Sequence, residues 1–381
     1  MAYIEGEVVH DADAHVMEPA DWLDEHAEAV VREAFRTRFD PRRIQTINEA
    51  IAKQDDPQVR ARDAEEIMLR KNYLATGAFR AEDRVNALNH IGVATQLVFP
   101  TTPSVWLEHL EHSKDVDLLY RAASATNRAQ TAFCAVDERL FAVGYVPLAD
   151  RARATNAASE ALELGCKALL IPWACPKDHA TSHVDFDRIW AQAAEAGVPI
   201  LFHVGDAARV LPSSHAVNGL PAVLDFHGGD ENFRSVSYMA IPAGPMQALS
   251  LLIFDGVLER FPTLKIGIIE LGAVWLPGYM RQLDAAYEAF ARHEQRLQAL
   301  SLKPSEYVAR QVRVTPYPTE PAGWIIEQSA PEICMFSSDF PHVEGGRNPF
   351  ARFERSLEGV GVGARTRFYR TNFEDMMGAA F

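Results

Sequence analysis

The chain has 381 residues, of which 48% are hydrophobic, and a formal net charge of -15 at pH 7. That length supports a large buried core, and barrels commonly run this long as one unit, so a single domain over 1–381 is expected. The acidic balance argues against a nucleic-acid partner, which needs a positive face to displace counterions from phosphates.

The four cysteines, Cys134, Cys166, Cys175 and Cys334, stand far apart without a C-x-x-C pair. They suggest neither a disulfide framework nor a thiolate zinc site, and they point to a reducing compartment. The N-terminus lacks a basic region followed by an apolar stretch, and no run approaches a membrane span in length. The expected location is the cytoplasm, with no membrane partner.

In chain order, eight strand-like segments recur: Val8–His15, Thr95–Pro100, Phe141–Leu148, Cys166–Pro172, Pro199–Gly205, Lys265–Gly272, Val312–Pro318 and Ile333–His342. Helical periodicity fills most of the intervals, an alternation that predicts parallel strands with helical crossovers and an α/β fold. The first segment reads His10-Asp-Ala-Asp-Ala-His15. Side chains two apart share a face of a strand, so Asp13 and His15 point the same way, with Asp11 one layer deeper. Facing inward they form a chelating pair; the alternative is a turn with incidental polar residues.

The stretch Val16–Ala94 is too long for a plain crossover and reads as an insertion, and its charge-dense part, Lys53–Lys71, reads as a solvated helix face. Further on, Arg151–Leu164 is a helix that stops at Gly165. Phe186–Gly197 repeats the pattern, with Phe186, Ile189, Trp190, Ala193 and Ala194 on one face and Gly197 as the stop. Pro-Ile-Leu-Phe then leads into His203. Alone, such a histidine reads as a core residue; with Asp13, His15 and Asp339 at other strand ends it completes a donor set that zinc and manganese accept. A second long connection, Asp206–Pro242, follows. In a barrel both long connections rise from the carboxyl rim as lid and substrate wall.

The eighth segment ends Ser337-Ser-Asp-Phe-Pro-His342, placing Asp339 at its carboxyl end, where a helix cap or Asx-turn is the competing role. His342 reads as a packing or supporting residue beside it. Thr371-Asn-Phe-Glu374 has the pattern of a capping box opening a last helix.

Together, Asp13-x-His15, His203, Glu270-Leu-Gly-Ala-Val-Trp-Leu-Pro277 and Ser338-Asp-Phe-Pro-His342 resemble the amidohydrolase superfamily over nearly the whole chain. The likeness is to the branch that includes aminocarboxymuconate-semialdehyde decarboxylase and the γ-resorcylate and 5-carboxyvanillate decarboxylases. The resemblance implies a distorted TIM (β/α)8 barrel, one Zn or Mn ion held by Asp13, His15, His203 and Asp339, and a homodimer or homotetramer. Two departures stand out. The first ligand position, usually His or Glu, is the shorter Asp13. The catalytic histidine that the decarboxylases carry on the sixth strand is replaced by Leu271, with Glu270 adjacent and of opposite strand parity. Glu270 is open to two readings, an acid/base or a structural partner. A bridging lysine for a second metal is not in place, since Lys167 lies at the start of the fourth strand.

These expectations favour a metal-dependent hydrolase acting on a small aromatic or apolar acid or carbonyl compound, with Asp339 or Glu270 as general base and His342 in support. The alternative is a metal-dependent decarboxylase, and the third reading is an inactive barrel serving as a scaffold. Candidate substrate contacts are His227, Arg209, Trp275 and Arg347.

Overall fold

A computed structural model describes residues 4, 6–176, 178–205, 211–221 and 235–381. Seven strands lie parallel in chain order: β1 (His10–Val16), β2 (Thr95–Pro100), β3 (Leu140–Tyr145), β4 (Ala168–Leu170), β5 (Ile200–His203), β6 (Ile266–Ile269) and β7 (Val312–Val314). Every residue in them is buried. That explains why β3, β4, β6 and the part of β5 before His203 read as unbroken apolar runs: helices cover one face and the barrel interior the other. The helices Arg151–Glu163 and Asp187–Ala196 lie where periodicity predicts them, and Gly165 and Gly197 leave them at φ of 92° and 65°.

The eighth expected strand forms no ladder. It runs between β7 and β1 through isolated parallel bridges, Val314 to Cys334 and Ala14 to Phe340. Met335 N donates to the Val314 carbonyl at 2.8 Å, and His15 N donates to the Phe340 carbonyl at 2.7 Å. Asp339, at a φ of 51°, interrupts the strand pattern between those anchors, and Pro341, which has no N–H, ends it just beyond the second. The result is a TIM-like barrel with most strands shorter than their apolar segments, because rim residues leave the ladder to build the site.

Asp11 locks this closure. Its Oδ2 accepts from Gln96 Nε2 on β2 and its Oδ1 from Ser338 N on the eighth segment, each at 2.8 Å. Burial pushes its carboxyl up to about 6, against the hydrogen bonds from Ser338 and Gln96 that draw it down. Asp11 is therefore a structural clamp, and the register of β1 on β2 shifts between Asp11 and Ala14. That irregularity takes in Asp13, the first expected ligand, and bulges commonly re-aim side chains in this way.

Three local expectations are corrected. Lys53–Lys71 is a solvated face only in part: it breaks into short helices that leave Lys53, Asp55, Asp56, Arg62 and Glu65 exposed, whereas Asp63 is buried under Thr76 Oγ1 at 2.8 Å and the ammonium of Lys71 is buried too. Thr371 makes no side-chain cap; a π-helical turn, Arg367–Thr371, runs straight into the helix Asn372–Met377. Asn372 holds that helix instead, donating to the carbonyls of Pro331 and Cys334 at 2.8 and 2.9 Å. Finally, the helical stretch Ser235–Phe254 is long and apolar enough to cross a membrane by length and composition, with a mean hydropathy of 1.3. Its Ala248, Leu249, Leu252 and Ile253 are buried in the protein core.

Replacing Asp11 by Ala strands the Gln96 and Ser338 donors in the interior, which should lower unfolding free energy by about 3 kcal/mol. Urea denaturation followed by circular dichroism measures the loss; an unchanged midpoint would remove the clamp role.

Candidate metal centre

Five acidic and histidine side chains converge at the carboxyl ends of the strands: Asp13 and His15 from β1, His203 as the last residue of β5, Glu270 just after β6, and Asp339 on the eighth segment. None is more than 5% exposed. Asp13 Oδ1 lies 3.2 Å from His15 Nε2 and 3.5 Å from His203 Nε2, and Glu270 Oε2 lies 3.3 Å from His203 Nε2 and 3.9 Å from His15 Nε2. Asp339 Oδ1 is 3.7 Å from His15 Nε2 and 3.1 Å from His342 Nδ1.

Backbone conformation explains the position of Glu270. Its strand parity points away from the barrel, but its φ of 55° takes it out of the strand and turns the side chain inward. The left-handed conformation costs a non-glycine residue on the order of 1 kcal/mol or more. Two anchors hold it there: Glu270 N donates to Thr315 Oγ1 at 2.9 Å, and its carbonyl accepts from the Tyr317 hydroxyl at 2.6 Å. Leu271, at the expected histidine position, is buried among apolar residues. Asp339 uses the same device at a φ of 51°, with its N–H on the Asp13 carbonyl at 2.9 Å.

The protonation states suit a cation. His203 Nδ1 lies 3.0 Å from the Val204 carbonyl, which only accepts, so Nδ1 carries the proton and Nε2 presents its lone pair to Asp13 and Glu270. Burial, then the nearby His342, pushes His15 well below its ordinary pKa, so it is neutral. Burial raises the Asp13 carboxyl, and a proton shared with His15 or His203 draws it below the usual range, so Asp13 is a carboxylate whichever partner fills the space. Neither oxygen of Asp13 nor Nε2 of His15 has a hydrogen-bond partner among the described residues. Lone pairs and carboxylates facing one another in a buried space cost several kcal/mol unless a cation lies between them. The residues present fit a divalent ion, and the set of imidazole and carboxylate donors fits zinc or manganese.

Sequence reasoning missed two neighbours. Thr101, just beyond β2, places its hydroxyl 3.3 Å from His15 Nδ1 and 3.2 Å from His342 Nε2, tying both rings. The buried Glu18 fixes it by accepting from Thr101 N and Thr102 N at 2.9 and 3.0 Å. Lys71 brings a buried ammonium, without a hydrogen bond among the described residues, into the field of Asp339 and Glu344. Burial draws its pKa down to about 8 against the pull of those acids, while burial and Asp339 push Glu344 up to about 7. Nothing local marks either residue: a threonine after a strand and a lysine in a charged run are ordinary.

Of the expected substrate contacts, Trp275 turns its indole N–H back to the Leu271 and Gly272 carbonyls at 3.3 and 2.9 Å. No contact joins Arg347 to the centre among the described residues. His227 and Arg209 lie outside the described residues.

A TIM-like barrel with a buried carboxylate and imidazole cluster at its strand ends is the architecture of a metal-dependent enzyme. The amidohydrolase family profile matches residues 11–372, and the chain belongs to that family. No curated protein matches it. Among solved structures, an amidohydrolase from Mycobacterium avium subsp. paratuberculosis K-10 superposes with a TM-score of 0.75 at 20% identity, covering 98% of this chain and 100% of that one. The 5-carboxyvanillate decarboxylase from Novosphingobium aromaticivorans, complexed with manganese and 4-hydroxy-3-methoxy-5-nitrobenzoic acid, gives 0.62 at 18% identity, covering 98% and 96%. A dihydroxybenzoic acid decarboxylase from Polaromonas sp. JS666, with manganese and 2-nitroresorcinol, gives 0.63 at 14% identity, covering 98% and 97%. These likenesses show a shared fold.

If Thr101 orients His15, replacing it by Val should weaken manganese binding about tenfold, the usual effect of losing a group that orients a ligand. Equilibrium dialysis of the metal-free protein against Mn2+ measures this, and unchanged affinity would make Thr101 a packing residue only.

Proposed function

We propose that the protein is a divalent-metal-dependent carboxy-lyase that removes CO2 from an aromatic or otherwise unsaturated acid. Lys71 carries this reading. A buried ammonium with unfilled donors at the edge of a carboxylate-rich centre calls for an anionic substrate, as decarboxylation requires. The two manganese-bearing decarboxylases of the same fold lend support. The hydrolytic reading stands second, favoured by Glu270, whose carboxylate beside the metal position suits a base that activates water.

Asp13, His15 and His203 would hold the ion, and manganese is the first metal to test. When bound, it supplies a Lewis acid for an oxygen of the substrate. Lys71 receives an anionic oxygen of the acid by a charge-assisted hydrogen bond, the stronger kind. The bond from the ring or vinyl carbon to the carboxylate breaks, its electron pair stays on that carbon, and CO2 leaves. The Asp339 carboxyl then delivers a proton to the carbon, and His342, 3.1 Å behind it and linked through Nε2 to Thr101, restores it.

Turnover of 2,6-dihydroxybenzoate or 5-carboxyvanillate in D2O containing 18O should release CO2 and give a product with one deuterium on carbon and no 18O in a new carboxylate. A labelled carboxylate without CO2 release would overturn the proposal in favour of hydrolysis. Replacing Lys71 by Met should raise KM for the acid tenfold or more while changing kcat less, equivalent to about 1.4 kcal/mol of lost binding. Steady-state kinetics checks this, and a KM equal to that of the unaltered protein would remove Lys71 from the substrate site.

A further inference from the structure

The donor atoms at the strand ends fall into two overlapping groups, and the division does not follow the expected ligand set. In one group, Asp13, His15, His203 and Glu270 each offer an atom within 4.8 Å of all the others. Asp339 belongs to the other, with His15, Glu270 and His342. Resting on the metal-centre reading, we propose that Glu270 rather than Asp339 is the fourth protein ligand, so that the donor has moved from the eighth segment to the sixth strand.

The spacing supports this. Four donors at bonds of about 2.1 Å around one tetrahedral ion lie roughly 3.4 Å from one another. Contacts of 3.2, 3.5, 3.3 and 3.9 Å link Asp13, His15, His203 and Glu270 around one space. A second, independent observation marks that space: both oxygens of Asp13 and Nε2 of His15 are buried within it, with no hydrogen bond among the described residues. Asp339 Oδ1 also approaches His15 Nε2, at 3.7 Å, but it lies at hydrogen-bond distance from His342 Nδ1, 3.1 Å, and does not join the group that holds Asp13 and His203.

This assignment resolves the absence of the sixth-strand histidine. The strand still contributes to the centre, through a carboxylate that binds the ion instead of an imidazole that moves protons. Asp339 is released from ligation and forms, with His342, the proton-transfer pair. A divalent ion balances the two carboxylates that would bind it, Asp13 and Glu270, and Lys71 stays available to the anionic substrate.

Metal-free full-length protein is titrated with Mn2+, free ion being followed by its electron paramagnetic resonance signal. The unaltered protein is compared with Glu270→Gln, Asp339→Asn and His203→Ala, and thermal unfolding confirms that each variant is folded. Expected is a loss of manganese affinity of tenfold or more in Glu270→Gln and His203→Ala, with Asp339→Asn staying within threefold of the unaltered protein. Equal effects in Glu270→Gln and Asp339→Asn, or a loss confined to Asp339→Asn, would overturn the assignment while leaving the metal centre standing. An unaltered protein that takes up no manganese would sink the metal-centre reading, and this inference with it.

Discussion

Everything at the carboxyl end of this barrel depends on an arrangement that is unfavourable by itself. Asp13 and Glu270 direct carboxylate oxygens at the Nε2 atoms of His15 and His203 from 3.2 to 3.9 Å, all four side chains being buried. The His203 lone pair faces inward because its proton is committed to the Val204 carbonyl. Such a centre repels itself until a cation enters, so the surrounding structure must hold the side chains against that repulsion. Asp11 does so by tying β1, β2 and the eighth segment together beneath the centre, and Thr101 by tying the outer faces of His15 and His342.

The same logic explains two of the three left-handed non-glycine residues among those described. Glu270 and Asp339 each occupy a conformation that a regular strand excludes, and each supplies a carboxylate to the centre. The cost of roughly 1 to 3 kcal/mol at each position is met by specific backbone partners: Thr315 and Tyr317 for Glu270, the Asp13 carbonyl for Asp339. Strain sits at the site because leaving the strand is the only way to aim these side chains inward from their places in the chain.

This also separates what the sequence reveals from what it conceals. Asp13, His15 and His203 were legible because they sit on or at the end of regular strands, where alternation and an apolar lead-in give direction. Glu270 was ambiguous because parity reasoning assumes a strand, and the strand stops at Ile269. The eighth segment had the composition of a strand, but Asp339 interrupts its ladder and Pro341 ends it, leaving isolated bridges. Lys71 and Thr101 reach the centre only through the tertiary fold, across long separations in sequence. The strand order and the family were therefore readable, while the membership of the centre required coordinates.

Lys71 has one more consequence. The next residue, Asn72, donates its N–H to the Pro341 carbonyl at 2.9 Å, between Asp339 and His342. The region between β1 and β2 is thus fastened to the loop that bears Asp339 and His342. In the proposed carboxy-lyase, acid binding and proton delivery would share that fastening. A change in that region would then alter which acid is admitted and, at the same time, how the acid is presented to its proton donor.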